Sequence, residues 1–195
     1  PLGSIGAGRL QDPSAVAVDN RLTVYVADAA RDVVVTFGSF ITGAAYRGTD
    51  GSNGTALGQM RGATVLATDP EPRLYVGEQG NLRVQAFDPA RGALGSLFAF
   101  GVADPAPYGP PAGLTLDGAN RFYVSSSTAG SDVRMFDSRG LFAGSVIGPG
   151  SAVGQVDRAR GLDADPAGRL LVADSGNNRV ALFDSQAGGF APLGV

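Results

Sequence analysis

Short apolar runs interrupted by polar turns follow one another along the whole chain, and none is long enough to suggest anything but a strand. The clearest pair is Leu170-Leu171-Val172-Ala173 and Val180-Ala181-Leu182-Phe183, separated by the polar segment Asp174-Ser175-Gly176-Asn177-Asn178-Arg179. Runs of this length around an Asp, Gly and Asn turn predict two antiparallel strands joined by a loop longer than two residues. Neither run alternates with polar residues. That predicts a hairpin whose two faces are both covered by neighbouring sheets.

The same pattern returns at Leu22 to Asp28 leading to Val34 to Phe37, at Arg73 to Glu78 leading to Val84 to Asp88, and at Arg121 to Ser126 leading to Val133 to Asp137. The central valines are Val26, Val76, Val124 and Val172, in steps of 50, 48 and 48; the closing phenylalanines are Phe37, Phe87, Phe136 and Phe183, in steps of 50, 49 and 47. A small-residue strand ending in Asp precedes each hairpin: Ala15 to Asp19, Thr64 to Asp69, Gly113 to Asp117 and Gly161 to Asp165. A fourth apolar segment follows each: Phe40 to Ala45, Leu94 to Phe100, Leu141 to Ile147 and Phe190 to Val195. Four antiparallel strands at such a period predict an all-β chain, a β-propeller of about four blades. The expected blades are residues 13–45, 62–100, 112–147 and 160–195.

The fourth unit, Gly161-Leu162-Asp163-Ala164-Asp165 followed by the run Gly168 to Val180 with its Asp174-Ser175-Gly176-Asn177-Asn178-Arg179 core, resembles the NHL repeat. The other three units resemble it less closely. The resemblance implies a propeller whose small-residue strands line a central channel, with the other strands running outward. NHL propellers usually carry more blades than the four units found here. Pro1-Leu2-Gly3-Ser4 reads as the scar of an expression tag, leaving residues 5–195 as the propeller. Because the fourth unit supplies its own outer strand, little sequence precedes the first unit to latch onto it. A four-bladed ring within one chain is the favoured expectation; part of a larger propeller and a homo-oligomer pairing its open ends are the alternatives.

Composition narrows the chemistry. The chain has 195 residues, a net charge of -3, no His, no Cys, and 15 cations that are all Arg. An acidic balance argues against a sequence-independent grip on phosphates, so no nucleic-acid partner is expected. Without His the commonest general base and transition-metal ligand is missing, and without Lys there is no Schiff-base chemistry. No apolar run approaches the ~18 residues of a spanning helix. No cofactor, catalytic group or membrane span is therefore expected.

Several residues remain candidates for structural or binding roles. Asp28, Glu78, Ser126 and Asp174 share one place in the hairpin and are expected to accept backbone N–H groups from the following turn. Arg83 and Arg179 are expected to pair with a neighbouring carboxylate such as Asp69 or Asp165. Asp163 replaces an apolar residue in the expected channel strand and is a weak metal candidate, with a hydrated carboxylate the favoured reading. The long connections carry Tyr46, Arg47, Asp50, Met60 and Arg61, then Asp104 and Tyr108, then Asp157, Arg158 and Arg160. Irregular loops on a rigid scaffold, bearing Tyr and Arg, suit recognition. The expected function is a non-catalytic module of a larger protein that binds a protein or peptide through these loops. The resemblance implies two alternatives: a metal-dependent hydrolase or lactonase-like enzyme, using Glu78, Asn120 and Asp163, and an RNA-binding NHL domain. It also includes an amidating lyase whose metal is held by histidines, which this chain lacks.

Overall fold

A computed structural model describes residues 4–89, 95–101, 109–130, 132–165, 168–185 and 189–194. The first three residues of the expected tag scar, together with Asp104 and Tyr108, lie outside them. The chain is all-β. Its first antiparallel sheet holds β1 (Pro13–Val18), β2 (Val24–Asp28), β3 (Val33–Phe37) and β4 (Tyr46–Asp50) in sequential order. The second holds β5 (Ala63–Thr68), β6 (Leu74–Glu78), β7 (Arg83–Asp88) and β8 (Gly95–Gly101). The third holds β9 (Pro111–Leu116), β10 (Phe122–Ser126), β11 (Val133–Phe136) and β12 (Phe142–Pro149), to which β13 (Gln155–Val156) adds in parallel. The last holds β14 (Ala159–Ala164), β15 (Arg169–Asp174), β16 (Arg179–Asp184) and β17 (Ala191–Gly194). These are the four blades, and they fall into two compact units, residues 1–99 and 100–195.

Within the first unit, blade 1 presents Tyr25, Ala27 and Val34 to Met60, Ala63, Leu66, Leu74, Val76 and Phe87 of blade 2 and the loop before it. Ser14 adds a bond from its hydroxyl to the Ala63 carbonyl at 2.7 Å, and Thr68 one to the Val18 carbonyl at 3.1 Å. Within the second unit, Tyr123, Val133 and Ile147 pack in the same way on Val156, Leu170, Val172 and Phe183. Side chains at register-matched positions meet, so each contact repeats the last. This is why valine and phenylalanine recur at a fixed period.

Two expectations are corrected. The fourth strand of blade 1 is Tyr46–Asp50 and not Phe40 to Ala45, because Phe40–Thr42 forms a 3-10 turn capped by Ser39, whose Oγ accepts the Ile41 N–H at 3.3 Å. Gly43 (φ 92°) and Ala44 (φ 48°) then turn the chain back. The true strand, Tyr-Arg-Gly-Thr-Asp, is polar because it is an edge, and hydrophobic pattern cannot find it.

The second correction falls on the hairpin that best matches the repeat. Both faces of β2, β6 and β10 are buried along their full length, as expected. In blade 4, however, β15 alternates between exposed and buried residues. Leu171 is 37% exposed and Val180 61%, at positions where blades 1 to 3 bury tyrosine and valine. In blade 1 only the first strand is uncovered: Val16 is 64% exposed, where blades 2 and 3 bury Leu66 and Leu114, while Val24, Val26 and Val35 beside it stay buried against Leu10 and Ala44.

The closeness of the first strands of blades 3 and 4 is testable. A Cβ at Gly113 would lie 2.6 Å from Ser125 Oγ, 3.0 Å from the Arg160 carbonyl oxygen and 3.0 Å from the Leu162 nitrogen. Two of these atoms are backbone and cannot step aside. Gly113→Val is therefore expected to destabilise the fold by about 1–3 kcal/mol through overpacking, read as a lower denaturation midpoint at unchanged slope.

Candidate functional site

Each blade begins with an aspartate that organises the turn between its first two strands. Asp19 Oδ1 accepts the Arg21 and Thr23 N–H groups at 2.9 and 2.8 Å, while Oδ2 accepts the Tyr25 hydroxyl at 3.1 Å. Asp69 does the same with Arg73 N–H (2.8 Å) and Tyr75 (2.8 Å), and Asp117 with Arg121 N–H (3.0 Å) and Tyr123 (2.9 Å). In blade 4 Leu171 stands where the tyrosine should be, and Asp165 keeps Arg169 N–H (2.9 Å) and Nε (2.6 Å). Burial pushes the three phenols well above their usual range, and the adjacent aspartate reinforces it. Burial also pushes the Asp117 carboxyl up, but its bonds from Arg121, Tyr123 and backbone N–H groups outweigh that and hold it below the usual carboxylate value.

A second set of carboxylates pins the loops. Glu78 Oε2 accepts the Arg61 N–H at 3.1 Å, Asp174 Oδ1 the Asp157 N–H at 2.7 Å, and Asp28 the Gln11 and Asp12 N–H groups at 2.7 and 3.1 Å. The backbone N–H groups they bind therefore belong to the segment that enters their blade, while from the following turn only the side chains of Asn81 and Asn177 reach Glu78 and Asp174. Only at Ser126 does the expected bond occur, to Thr128 N–H at 3.2 Å. The partner lies 17 residues upstream, closed into place by the blade's own first strand, and no local pattern announces it. Arg83 and Arg179 are corrected as well: Asp69 and Asp165 bind Arg73 and Arg169, whereas Arg83 Nε meets Glu78 at 2.8 Å and Arg179 Nε meets Asp174 at 2.7 Å.

The guanidinium groups then reach the loops themselves. Arg83 donates to the carbonyls of Thr55, Ala56 and Gln59 at 2.6, 3.0 and 2.8 Å; Arg179 donates to those of Ala152 and Gln155 at 3.0 and 2.7 Å. Asn81 and Asn177 bond the Gly54 and Gly150 carbonyls, each at 2.9 Å. Gly54 (φ 153°) and Gly150 (φ 143°) are held against Gln59 and Gln155, whose Oε1 accepts from Ala56 and Ala152, each at 3.2 Å. The two loops are thus the same device built twice. Each lifts one aliphatic side chain into water at its tip: Leu57, 58% exposed, and Val153, 67% exposed.

The binding residues expected from the sequence divide sharply. Tyr46, Arg47 and Asp50 lie on β4 and not on a loop. Met60 is fully buried between blades 1 and 2 and offers no surface. Arg61, Arg158 and Arg160 are exposed, the first two beside the loops and the last on β14. Asp157 accepts the Gly130 N–H at 3.2 Å and meets Arg158 at 3.2 Å; these contacts, the Gly130 bond foremost, hold its carboxyl below the usual value. Glu78 is buried with Asn81, Arg83, Gln85 and the Arg61 N–H all donating to it, which leaves its oxygens committed. Asn120 sits in a turn at φ 58°. Asp163 pairs with Leu171 across the ladder, on the bare face of blade 4. Among the described residues no three acidic side chains gather closely enough to hold a metal ion.

Sequence reading missed Leu57 and Val153, each a lone apolar residue inside a polar loop. It also missed a cleft of about 340 Å³ on blade 1, lined by Arg9, Gln11, Arg31, Tyr46 and Thr49, where the Arg9 guanidinium stacks 4.0 Å from the Tyr46 ring.

Two measurements check these roles. Arg83→Ala strips Glu78 of its charge partner and the loop of three donors, so it is expected to destabilise the fold by about 3 kcal/mol and to raise the protease sensitivity of residues 52–61. The second is an alkaline titration. A phenol whose folded pKa is raised contributes stability that is intact below the unfolded value of about 10 and lost as pH climbs above it. Phenolate absorbance from Tyr25, Tyr75 and Tyr123 is expected to appear only together with loss of the β-sheet circular dichroism signal.

No curated protein matches this sequence. Solved structures do match. The WD40 repeats of RRP9 superpose with a TM-score of 0.72 at 11% identity, over 93% of this chain and 50% of that one. Hydrazine synthase of Kuenenia stuttgartiensis gives 0.70 at 17% identity over 93% and 48%, and virginiamycin B lyase of Staphylococcus aureus 0.66 at 10% over 92% and 54%. This chain spans about half the length of each. At such identities the likeness shows the fold, shared by enzymes and non-enzymes alike. Residues 157–183, which run from the loop anchor Asp157 through the Asp174 and Arg179 pair to Phe183, match the NHL repeat. With that repeat and four four-stranded sheets, the chain is an NHL-like β-propeller.

Proposed function

We propose that this chain is a non-catalytic module that binds an acidic peptide segment of a partner protein through its crossover loops. The observation that supports this most is the paired loop design. A buried carboxylate, an asparagine and an arginine hold each loop rigid, and the loop uses that rigidity to keep Leu57 or Val153 in water. Both loops set the aliphatic residue at the same point of the same design, directly after the Ala56 or Ala152 that the loop glutamine binds. A preorganised apolar contact loses little entropy on binding. Arg61 in the first unit, and Arg158 in the second, place a cation on the same loop as the aliphatic tip. An aliphatic residue flanked by Asp or Glu is the complementary ligand. Glu78 and Asp174 are taken up by N–H groups and guanidinium groups, and the exposed Asp163 accepts the Ala164 N–H, which favours binding over hydrolysis.

A displayed peptide library selected on the immobilised chain tests this. Selected peptides are expected to carry an aliphatic residue beside acidic ones and to weaken in high salt. Leu57→Ala or Val153→Ala should lower their affinity about tenfold, since truncating a hot-spot side chain costs upward of 1 kcal/mol. Peptides that bind both alanine variants and Arg61→Ala as tightly as the parent would remove the loops from the reading.

A further inference from the structure

Blade 1 departs from blades 2 and 4 at three positions that hold a loop in those blades. Arg31 follows the hairpin carboxylate Asp28 at the spacing by which Asn81 and Asn177 follow Glu78 and Asp174. Val33 pairs across the hairpin with Asp28, where Arg83 and Arg179 pair with the other two carboxylates. Arg9 precedes the Gln11 N–H that Asp28 accepts, at the place of Gln59 before Arg61 and of Gln155 before Asp157. In blades 2 and 4 these side chains are spent on their own loop: asparagine and arginine on its carbonyls, glutamine on the Ala56 or Ala152 N–H. An amide fills the Arg9 and Arg31 positions in those blades, so holding the segment does not call for a charge at either.

In blade 1 the two arginines border open space instead, the cleft of about 340 Å³ that Tyr46 and Thr49 of β4 also line. Among the described residues no carboxylate lines it. The Arg9 guanidinium lies 4.0 Å over the Tyr46 ring, and stacking uses its flat face while leaving the N–H donors of its edge for a ligand. Arg31 gives one of its five donors to the Arg9 carbonyl, from Nη1 at 2.6 Å. Asp28 Oδ2 is 3.8 Å from Arg31, but that carboxylate is buried and already accepts the Gln11 and Asp12 N–H groups. Two cations thus face one committed carboxylate, and the cleft is left positive. The Tyr46 and Thr49 hydroxyls, 3.1 Å apart, add two further polar groups.

We propose that this cleft binds a phosphate monoester, with the phosphoryl group between the Arg9 and Arg31 guanidinium groups and beside the Tyr46 and Thr49 hydroxyls. A single carboxylate is satisfied by one arginine fork, whereas a dianion with three acceptor oxygens matches two forks and a pair of hydroxyls. The volume is that of a small-molecule cleft and leaves room for the alcohol part of the ester. The site rests on blade 1 alone and stands whether or not the crossover loops bind a peptide.

Isothermal titration calorimetry of the full chain with O-phosphoserine at low ionic strength tests it. Saturable binding is expected, weakening as salt is added. Arg9→Gln and Arg31→Asn restore the residue types of blades 2 and 4, so both should keep the circular dichroism spectrum and melting temperature of the parent. Each is expected to lower the affinity about tenfold through the lost charge-assisted bonds, and the double variant to abolish binding. If Arg31→Asn melts early, Arg9→Gln, at an exposed position, carries the test alone. A short glycine-rich peptide bearing one phosphoserine separates the sources: tighter binding than O-phosphoserine assigns the site to a phosphorylated chain, and equal or weaker binding to a free small molecule. Absence of saturable binding at millimolar O-phosphoserine overturns the proposal. So do folded variants that bind as tightly as the parent, and so does succinate binding as tightly as O-phosphoserine, which would make this a carboxylate site.

Discussion

A twisted four-stranded sheet with apolar side chains on both surfaces has no way to satisfy itself. Folding one such blade leaves two greasy faces in water, and only another blade, presenting the matching surface at the matching spacing, removes both costs at once. The constraint explains why Val24, Val26, Val34 and Val35 are all buried within one short hairpin, which an ordinary half-exposed sheet would never require. It also explains why the repeat is kept in register: a shift of one residue would turn every valine to the other face. Within each unit the paired faces, blade 1 on blade 2 and blade 3 on blade 4, satisfy the condition. Leu171 and Val180 on blade 4, and Val16 on blade 1, are apolar side chains left exposed.

The polar interior follows from that geometry. Blades pressed together bury the turns at their edges, and a buried turn must find acceptors for its N–H groups. Asp19, Asp69 and Asp117 meet the need at one end of the hairpin, with a tyrosine hydroxyl sealing the second oxygen. Glu78 and Asp174 meet it at the other end by taking the N–H of the incoming chain. A fully buried carboxylate is tolerable only when its charge is also balanced, and Arg83 and Arg179 balance it while holding the loop beyond. The rigid loop tips are thus a by-product of solving a burial problem. Recognition surfaces grow readily from such parts because the order is already in place.

Period and pairing were legible because they rest on apolar residues whose spacing is forced. Counting from valine to valine and from phenylalanine to phenylalanine locates every antiparallel blade strand among the described residues but one. The exception, Tyr46–Asp50, is an edge strand with no apolar alternation, while the more hydrophobic Phe40-Ile41-Thr42 beside it is a turn whose side chains are exposed. Hydrophobicity predicts strands only where a strand must be buried. The anchoring carboxylates were recognised as a recurring set, yet their partners were not, because a bond between Glu78 and an N–H 17 residues upstream exists only after the first strand has folded back. Met60 shows the converse: it sits in a Gly-rich polar loop that reads as surface, and it plugs the space between two blades.

The bare face of blade 4 carries more than an absence of neighbours. Where blades 1 to 3 place a tyrosine bonded to the turn aspartate, blade 4 places Leu171, and where they place Ala17, Ala67 and Thr115 it places Asp163. The first change trades a specific hydrogen bond for a side chain that packs without directional demand. The second sets an exposed charge opposite Leu171, while Arg169, on the same side of β15, is held by Asp165. A charge inside an apolar contact is expensive when unpaired, whereas at the rim it stays hydrated and discriminates against misaligned partners. Blade 4 is the most regular of the four in its hairpin and the least regular in these two positions. That combination keeps the fold of a blade while limiting what can lie against its exposed face.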